Sequence, residues 1–274
     1  MDTKISPLLK TPLSYYGGKA SIIRYMLALV PDHEVYTEVF LGGGTLFWSK
    51  KPVKNETIND TLDIVVNFYK VIKNNYRPLK KRVDATLLCR SDKDLAKKII
   101  RHKRKYNKVD LAWAAWFIFN FSYAGKLNGG LKYSNHPGTV VPEILKHKKE
   151  RFTEHLVARI EHETIENRDA IGVLRSRNVS NAFHEIDPPY IGCDQGHYRG
   201  YTENNFIDLL EFLQNECTGK FMLHNYNSEI LDDYVKRNGW NKKEIVHRLT
   251  APRKSGSVKC EVIVYNYKLQ PTLF

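Results

Sequence analysis

Asp187-Pro188-Pro189-Tyr190 follows the apolar run NAFHEI, so a carboxylate, two prolines and a tyrosine leave the end of what reads as a buried strand. Each proline locks its own φ, and Pro189 also keeps Pro188 out of the α region, so the loop is rigid and its carbonyls point in set directions. A carboxylate beside a backbone carbonyl makes two acceptors, which match the two hydrogens of an amino group. With both N–H bonds engaged, the lone pair of an aromatic amine is drawn out of ring conjugation and can be aimed at an electrophile. The tyrosine offers a stacking face for a base. A plain turn at a strand end could use the same residues; rigidity, charge and an aromatic ring in one loop favour the chemical reading.

Two further clusters have ligand-binding character. Glu38-Val39-Phe40-Leu41-Gly42-Gly43-Gly44 closes a second short β run, VYTEVF. Glycines there let the backbone turn tightly and approach a ligand. Asp60 ends another short strand, ETIND, about 20 residues further on, where a carboxylate in a doubly wound sheet holds ribose hydroxyls. No GxGxxG is present, so a nucleoside-bearing cofactor without a pyrophosphate fits better than a dinucleotide. Tyr15-Tyr16-Gly17-Gly18-Lys19 precedes a helical run; it supplies an aromatic wall and a lysine for a carboxylate, or is simply a loop before a helix.

These clusters need a scaffold, and the pattern supplies one. Short β runs alternate with helical stretches from residue 35 to 75 and again from 152 to 267, which predicts an α/β sheet, mostly parallel. Two final strands, EIVHRL and EVIVYNY, form an antiparallel pair at its end. With 274 residues, 42% hydrophobic and 27% charged, the chain is an ordinary folded protein with room for a large core. It has no apolar run of membrane-spanning length and no signal peptide, so a cytoplasmic setting is expected. Its four cysteines form no metal-ligand pattern.

The formal charge of +13 is concentrated. Between Lys73 and Lys108 stand 14 Lys/Arg against three acids, a net +11. Such a cluster reads as a nucleic-acid surface, with Lys103, Arg104 and Lys105 at its densest point and the apolar helix LAWAAWFIFNF beneath it. A solvated helix face with no partner is the alternative. Trp113 and Trp116 are assigned to the core, and His184 to packing rather than catalysis. Arg253 and Lys254, in a turn-rich linker, are either phosphate contacts or a solvated turn.

Together SYYGGK, TEVFLGGGTLF, ETIND and DPPY resemble the DNA adenine methyltransferases of the Dam type, over most of the chain. The resemblance implies a seven-stranded, mostly parallel Rossmann-like methyltransferase sheet formed by residues 1–75 and 152–274. It implies an inserted target-recognition subdomain at 76–151. It implies S-adenosylmethionine as cofactor, with Tyr15 and Lys19 contacting it, Glu38, Phe40, Gly42 and Gly44 lining its pocket, Asp60 on its ribose and Asp169 near its adenine. Asp187 would touch both the cofactor and the target amine, Pro188 would offer its carbonyl, and Tyr190 would stack on the base. FNFSYAGKLNGGLKYSNHPG resembles the family's recognition hairpin, with Asn120 and Tyr123 its foremost DNA contacts. The implied reaction is methylation of adenine N6 in double-stranded DNA, by base flipping and direct in-line transfer, with no metal and no membrane. A cognate restriction endonuclease or a stand-alone role both fit. Serine is common at the head of this loop in enzymes that methylate cytosine, so Asp187 favours adenine. Methylation of another nucleic-acid amine, or a binding protein that lost activity, are the competing classes.

Overall fold

The computed structural model describes residues 9–134, 140–191, 200–245 and 261–269. Seven strands are present: β1 (Val35–Glu38), β2 (Asn55–Asn59), β3 (Thr164–Glu166), β4 (Ala182–Ile186), β5 (Lys220–Tyr226), β6 (Asn241–Ile245) and β7 (Glu261–Tyr265). They form one sheet in the order β3-β2-β1-β4-β5-β7-β6. β1 pairs in parallel with β2 and β4, and β4 with β5; β7 runs antiparallel to both β5 and β6. The expected mostly parallel sheet with an antiparallel end is therefore present. β6 starts three residues earlier than the EIVHRL pattern suggests, and residues 246–260 lie outside the described set.

Ten α-helices alternate with these strands along the chain among the described residues: α1 (Ile23–Leu29), α2 (Thr45–Ser49), α3 (Asp63–Asp84), α4 (Arg90–Arg101), α5 (Lys108–Phe121), α6 (Val141–Glu150), α7 (His155–Ile160), α8 (Ala170–Ser176), α9 (Glu203–Asn215) and α10 (Glu229–Asn238). The chain divides into two compact units. The first contains the chain up to Ala28, Gly42–Pro52 and Asp60–Asn167; the second contains Leu29–Leu41, Val53–Asn59 and the chain from Arg168. The first unit thus holds the basic segment together with the N-terminal loop, the glycine turn and Asp60. That is a different partition from an insertion at 76–151.

In the second unit, Val39 directly after β1, with Ile186 of β4, Leu223 of β5 and Val264 of β7, is buried against Leu174, Phe206, Leu210 and Leu231 from α8, α9 and α10. α9 begins with a reciprocal capping box between Thr202 and Asn205. In the first unit, every residue of α5 from Leu111 to Phe121 is buried, which accounts for its lack of a polar face. α3 is kinked at Asn75, whose φ and ψ are −142° and 40°. Pro78 explains the kink, because its ring collides with the carbonyl four residues back and it has no N–H to donate. α6 was not foreshadowed by an apolar period; its signals are Pro142 in the first turn and His147, Lys148 and Lys149 in the last.

His184 is fully buried in β4, and neither ring nitrogen has a hydrogen-bond partner among the described residues. Burial lowers its pKa to about 4. Its ordinary value is ~6.5, so the unfolded chain takes up the proton first as pH falls. The stability it contributes is intact above pH ~6.5 and is lost on acidification toward pH 4, about 3 kcal/mol in all. Urea midpoints at pH 7 and pH 4 should show this loss in the parent and a correspondingly smaller one in His184→Gln.

Candidate active site

The first unit builds part of the site around a tight turn. Gly42 and Gly44 have φ of 47° and 63°, in the left-handed region that glycine adopts at little cost. The Gly42 N–H donates to Asp60 Oδ2 at 2.8 Å, and the Leu62 N–H donates to Asp60 Oδ1 at 2.8 Å. Tyr69 donates its hydroxyl to the Gly42 carbonyl at 3.0 Å. Asp60 is buried, so its charge sits against the two N–H groups and fixes the turn. The Tyr15 ring lies directly on this turn: a Cβ on Gly42 would stand 2.7 Å from Tyr15 Cδ1. Tyr15 also packs on Phe119, with ring centroids 4.9 Å apart. Lys19 is buried, and its ammonium donates to the Gly17 carbonyl at 3.1 Å. Tyr15, Gly42 and Asp60 are thus brought together.

Asn120 holds the segment before Tyr15. Its carboxamide donates to Pro12 O at 3.0 Å and Trp116 O at 2.9 Å, and accepts the Ser14 N–H at 3.0 Å. It is 2% exposed, which corrects its assignment as a DNA contact: its polar atoms are engaged within the fold. Asn120→Ala should cost about 2–3 kcal/mol, since Ser14 N–H and Pro12 C=O lose their partner. Denaturant midpoints measure this; an effect on DNA affinity with unchanged stability would restore the original assignment.

Tyr123, by contrast, is 71% exposed. It sits where Ser122 bridges Leu131 in antiparallel fashion and its N–H donates to Gly130 O at 2.8 Å, the local geometry of a hairpin. Lys103, Arg104 and Lys105 form an exposed 3-10 turn. Lys103 pairs with Asp63 at 2.5 Å, and Arg82 pairs with Asp110 while stacking over Trp113. Part of the basic segment is therefore neutralised internally. Arg253 and Lys254 lie outside the described residues.

The second unit presents the carboxyl ends of β1 and β4 side by side, with Glu38 in register with Glu185. Glu38 is buried and accepts the Tyr36 hydroxyl at 2.6 Å. Phe40 meets Tyr201 edge-on at 6.1 Å. Asp169 caps α8, accepting the Gly172 N–H at 2.9 Å. Burial pushes the Tyr201 hydroxyl pKa up, and the Asp169 and Asp208 carboxylates push it further. Asn59 locks the end of β1 to the segment before α8: it donates to Val39 O and Arg168 O and accepts the Arg168 N–H.

Asp187 and Pro188 leave β4 directly, as the sequence predicts. The Tyr190 hydroxyl donates to Glu261 Oε1 at 2.6 Å, and its ring meets Tyr226 edge-on at 4.7 Å. Burial raises the Tyr190 pKa well above its usual value, and Asp187 and Glu261 raise it further. The phenol stays protonated and its ring orientation is held from two sides. Glu261 and Tyr226 were not anticipated. Tyr226 ends the strand beside β4, a position that could have drawn attention to it, whereas Glu261 has no local signal. Glu185 and His224 were also missed; His224 Nε2 is 3.5 Å from Glu185 Oε1, both buried.

This sheet order, with a rigid Asp-Pro-Pro-Tyr loop leaving a central strand beside a buried carboxylate, defines the methyltransferase class of α/β fold. A match to the D12 class N6 adenine-specific DNA methyltransferases spans residues 15–248, and the chain belongs to that family. Its activity is that of an adenine-specific DNA methyltransferase. It is 25% identical over 284 residues to the type II methyltransferase M1.LlaDCHI of Lactococcus lactis subsp. cremoris, covering 92% of this chain and 93% of that protein. It is 22% identical to the modification methylase StsI of Streptococcus sanguinis and to the type II methyltransferase M.FokI of Planomicrobium okeanokoites, covering 95% and 96% of this chain. The chain spans only 43% and 44% of the length of those two. Among the described residues no group of His, Cys, Asp and Glu could hold a metal ion, and no helix is long and apolar enough to cross a membrane.

Proposed function

We propose that the protein methylates adenine in double-stranded DNA with S-adenosylmethionine, held by Tyr15, Lys19, Glu38, Phe40, Gly42, Gly44, Asp60, Asp169 and Asp187. The donor set suits that ligand: buried Asp60 for ribose hydroxyls, buried Glu38 for an amine, Lys19 for a carboxylate, aromatic rings for a purine. When bound, the cofactor supplies a methyl group on a sulfonium for direct in-line transfer. Asp187 and the Pro188 carbonyl accept the two N–H bonds of the target amine and direct its lone pair. Tyr190, braced by Glu261 and Tyr226, offers its ring to the base. A paired adenine cannot reach this loop, so the base leaves the stack, at a cost of a few kcal/mol. By analogy with relatives named as type II methyltransferases, the setting is restriction–modification in the cytoplasm, alongside a cognate endonuclease.

The observation that carries this reading is the rigid Asp187–Tyr190 loop with its tyrosine fixed at 2.6 Å from Glu261. The test is incubation with S-adenosylmethionine and unmethylated duplex, then digestion and mass spectrometry of nucleosides. N6-methyldeoxyadenosine is expected; cofactor binding with no methylated product from duplexes of varied sequence would overturn the duplex substrate.

The basic segment is proposed to track DNA phosphates. Arg104 and Lys105 are exposed without ion pairs among the described residues, whereas Lys103 is shared with Asp63. Neutralising all three should flatten the log–log salt dependence of binding by about 2 units rather than 3. An unchanged slope, measured by fluorescence anisotropy, would make this turn a solvated face.

A further inference from the structure

A cavity of about 430 Å³ lies within the first unit, lined by Lys10, Leu13, Ile23, Lys148, Arg151 and Phe152 among others. Its lining contains no Asp or Glu. Lys148 and Arg151 make no ion pair or side-chain hydrogen bond among the described residues, whereas other cations of this unit are paired, as Lys80 is with Asp84 and Arg159 with Glu163. Lys10 and Arg151 are exposed and Lys148 is half-buried, so three cations gather at a partly apolar cavity whose lining offers them no carboxylate, and they repel one another there. Burial, then Arg151 and Lys132, lower the Lys148 pKa to about 8. A phosphate would relieve that repulsion, and the apolar wall of Leu13, Ile23 and Phe152 would accept a sugar or base.

We propose that this cavity is a second ligand site, for a phosphate-bearing group of nucleotide size, with Lys148 and Arg151 on the phosphate. The group comes from a free nucleotide or from a nucleotide of the DNA strand. Occupancy would also steady the segment from Thr11 to Tyr15, which forms one wall of the cavity and is tied to the glycine turn by the Thr11 hydroxyl on the Gly43 carbonyl.

The test is trace acetylation of lysines in the full chain at pH 8, read by peptide mass spectrometry, without any methyl donor. Lys146, on the same helix and 72% exposed, is the control for general shielding, and Lys19 is the control for the proposed cofactor pocket. Adenosine monophosphate is expected to slow labelling of Lys148 at least fivefold while leaving Lys146 and Lys19 unchanged. Arg151→Met should raise the concentration needed for protection at least tenfold. Protection of Lys148 by a short duplex but not by the mononucleotide identifies the DNA strand as the source and supports the site. No protection by either, equal protection of Lys146, or protection of Lys19 in place of Lys148 overturns it. Because the parent protein alone gives these outcomes, a variant that fails to fold leaves the answer intact. The readout is also independent of methyl transfer.

Discussion

Asp187→Ala should lower single-turnover methyl transfer by about 10³-fold or more while leaving DNA affinity within a few-fold of the parent. The size follows from the role proposed for the carboxylate: as one of two acceptors that position the amine, it leaves the Pro188 carbonyl unable to hold both N–H bonds when it is removed. Positioning and preorganised polar groups together supply effects of this order. The loop itself should survive, because Pro188 and Pro189 set its path independently of the side chain. Asp187→Asn keeps one acceptor oxygen but places an amide donor against the amine, so it should rank near the alanine variant. Labelled-methyl incorporation under single-turnover conditions, with anisotropy for DNA binding, measures both. Near-normal transfer in Asp187→Ala would remove this residue from the reaction.

Gly42→Ala should cost about 2–4 kcal/mol of stability and weaken cofactor binding at least tenfold. Two effects combine. Alanine at a φ of 47° is strained by roughly 1–2 kcal/mol. Its Cβ would also stand 2.7 Å from the Tyr15 ring, which must shift and lose its packing on Phe119, another ~1–3 kcal/mol. Gly17 makes the comparison: its φ is 75°, but nothing lies within 4 Å of an added Cβ, so Gly17→Ala should show only the strain. Thermal melts and calorimetric titration with S-adenosylmethionine separate the two. If both variants behave alike, the Tyr15 contact is unimportant.

Motifs carried in short contiguous stretches were legible from residues alone. The Asp187 loop, the glycine turn and Asp60 each needed only local chemistry, and the alternating pattern placed them at strand ends. α5 was readable because an uninterrupted apolar run of that length must be buried. Asn120 was misread because its residue type suits base recognition as well as it suits a buried backbone clamp. Only the fold, by placing Pro12 and Ser14 against α5, distinguishes them.

From the sequence alone came the α/β class, the chemistry proposed for the Asp-Pro-Pro-Tyr loop and the concentration of positive charge, since each is encoded by neighbours along the chain. Tertiary structure decided which cations remain available, as with Lys103 on Asp63, and which groups brace the loop from Asp187 to Tyr190. Glu261 lies 71 residues from Tyr190, and His224 lies 39 from Glu185. Those pairs exist because β5 pairs with β4 on one side and with β7 on the other, and side-chain contacts across strands have no signature in local spacing.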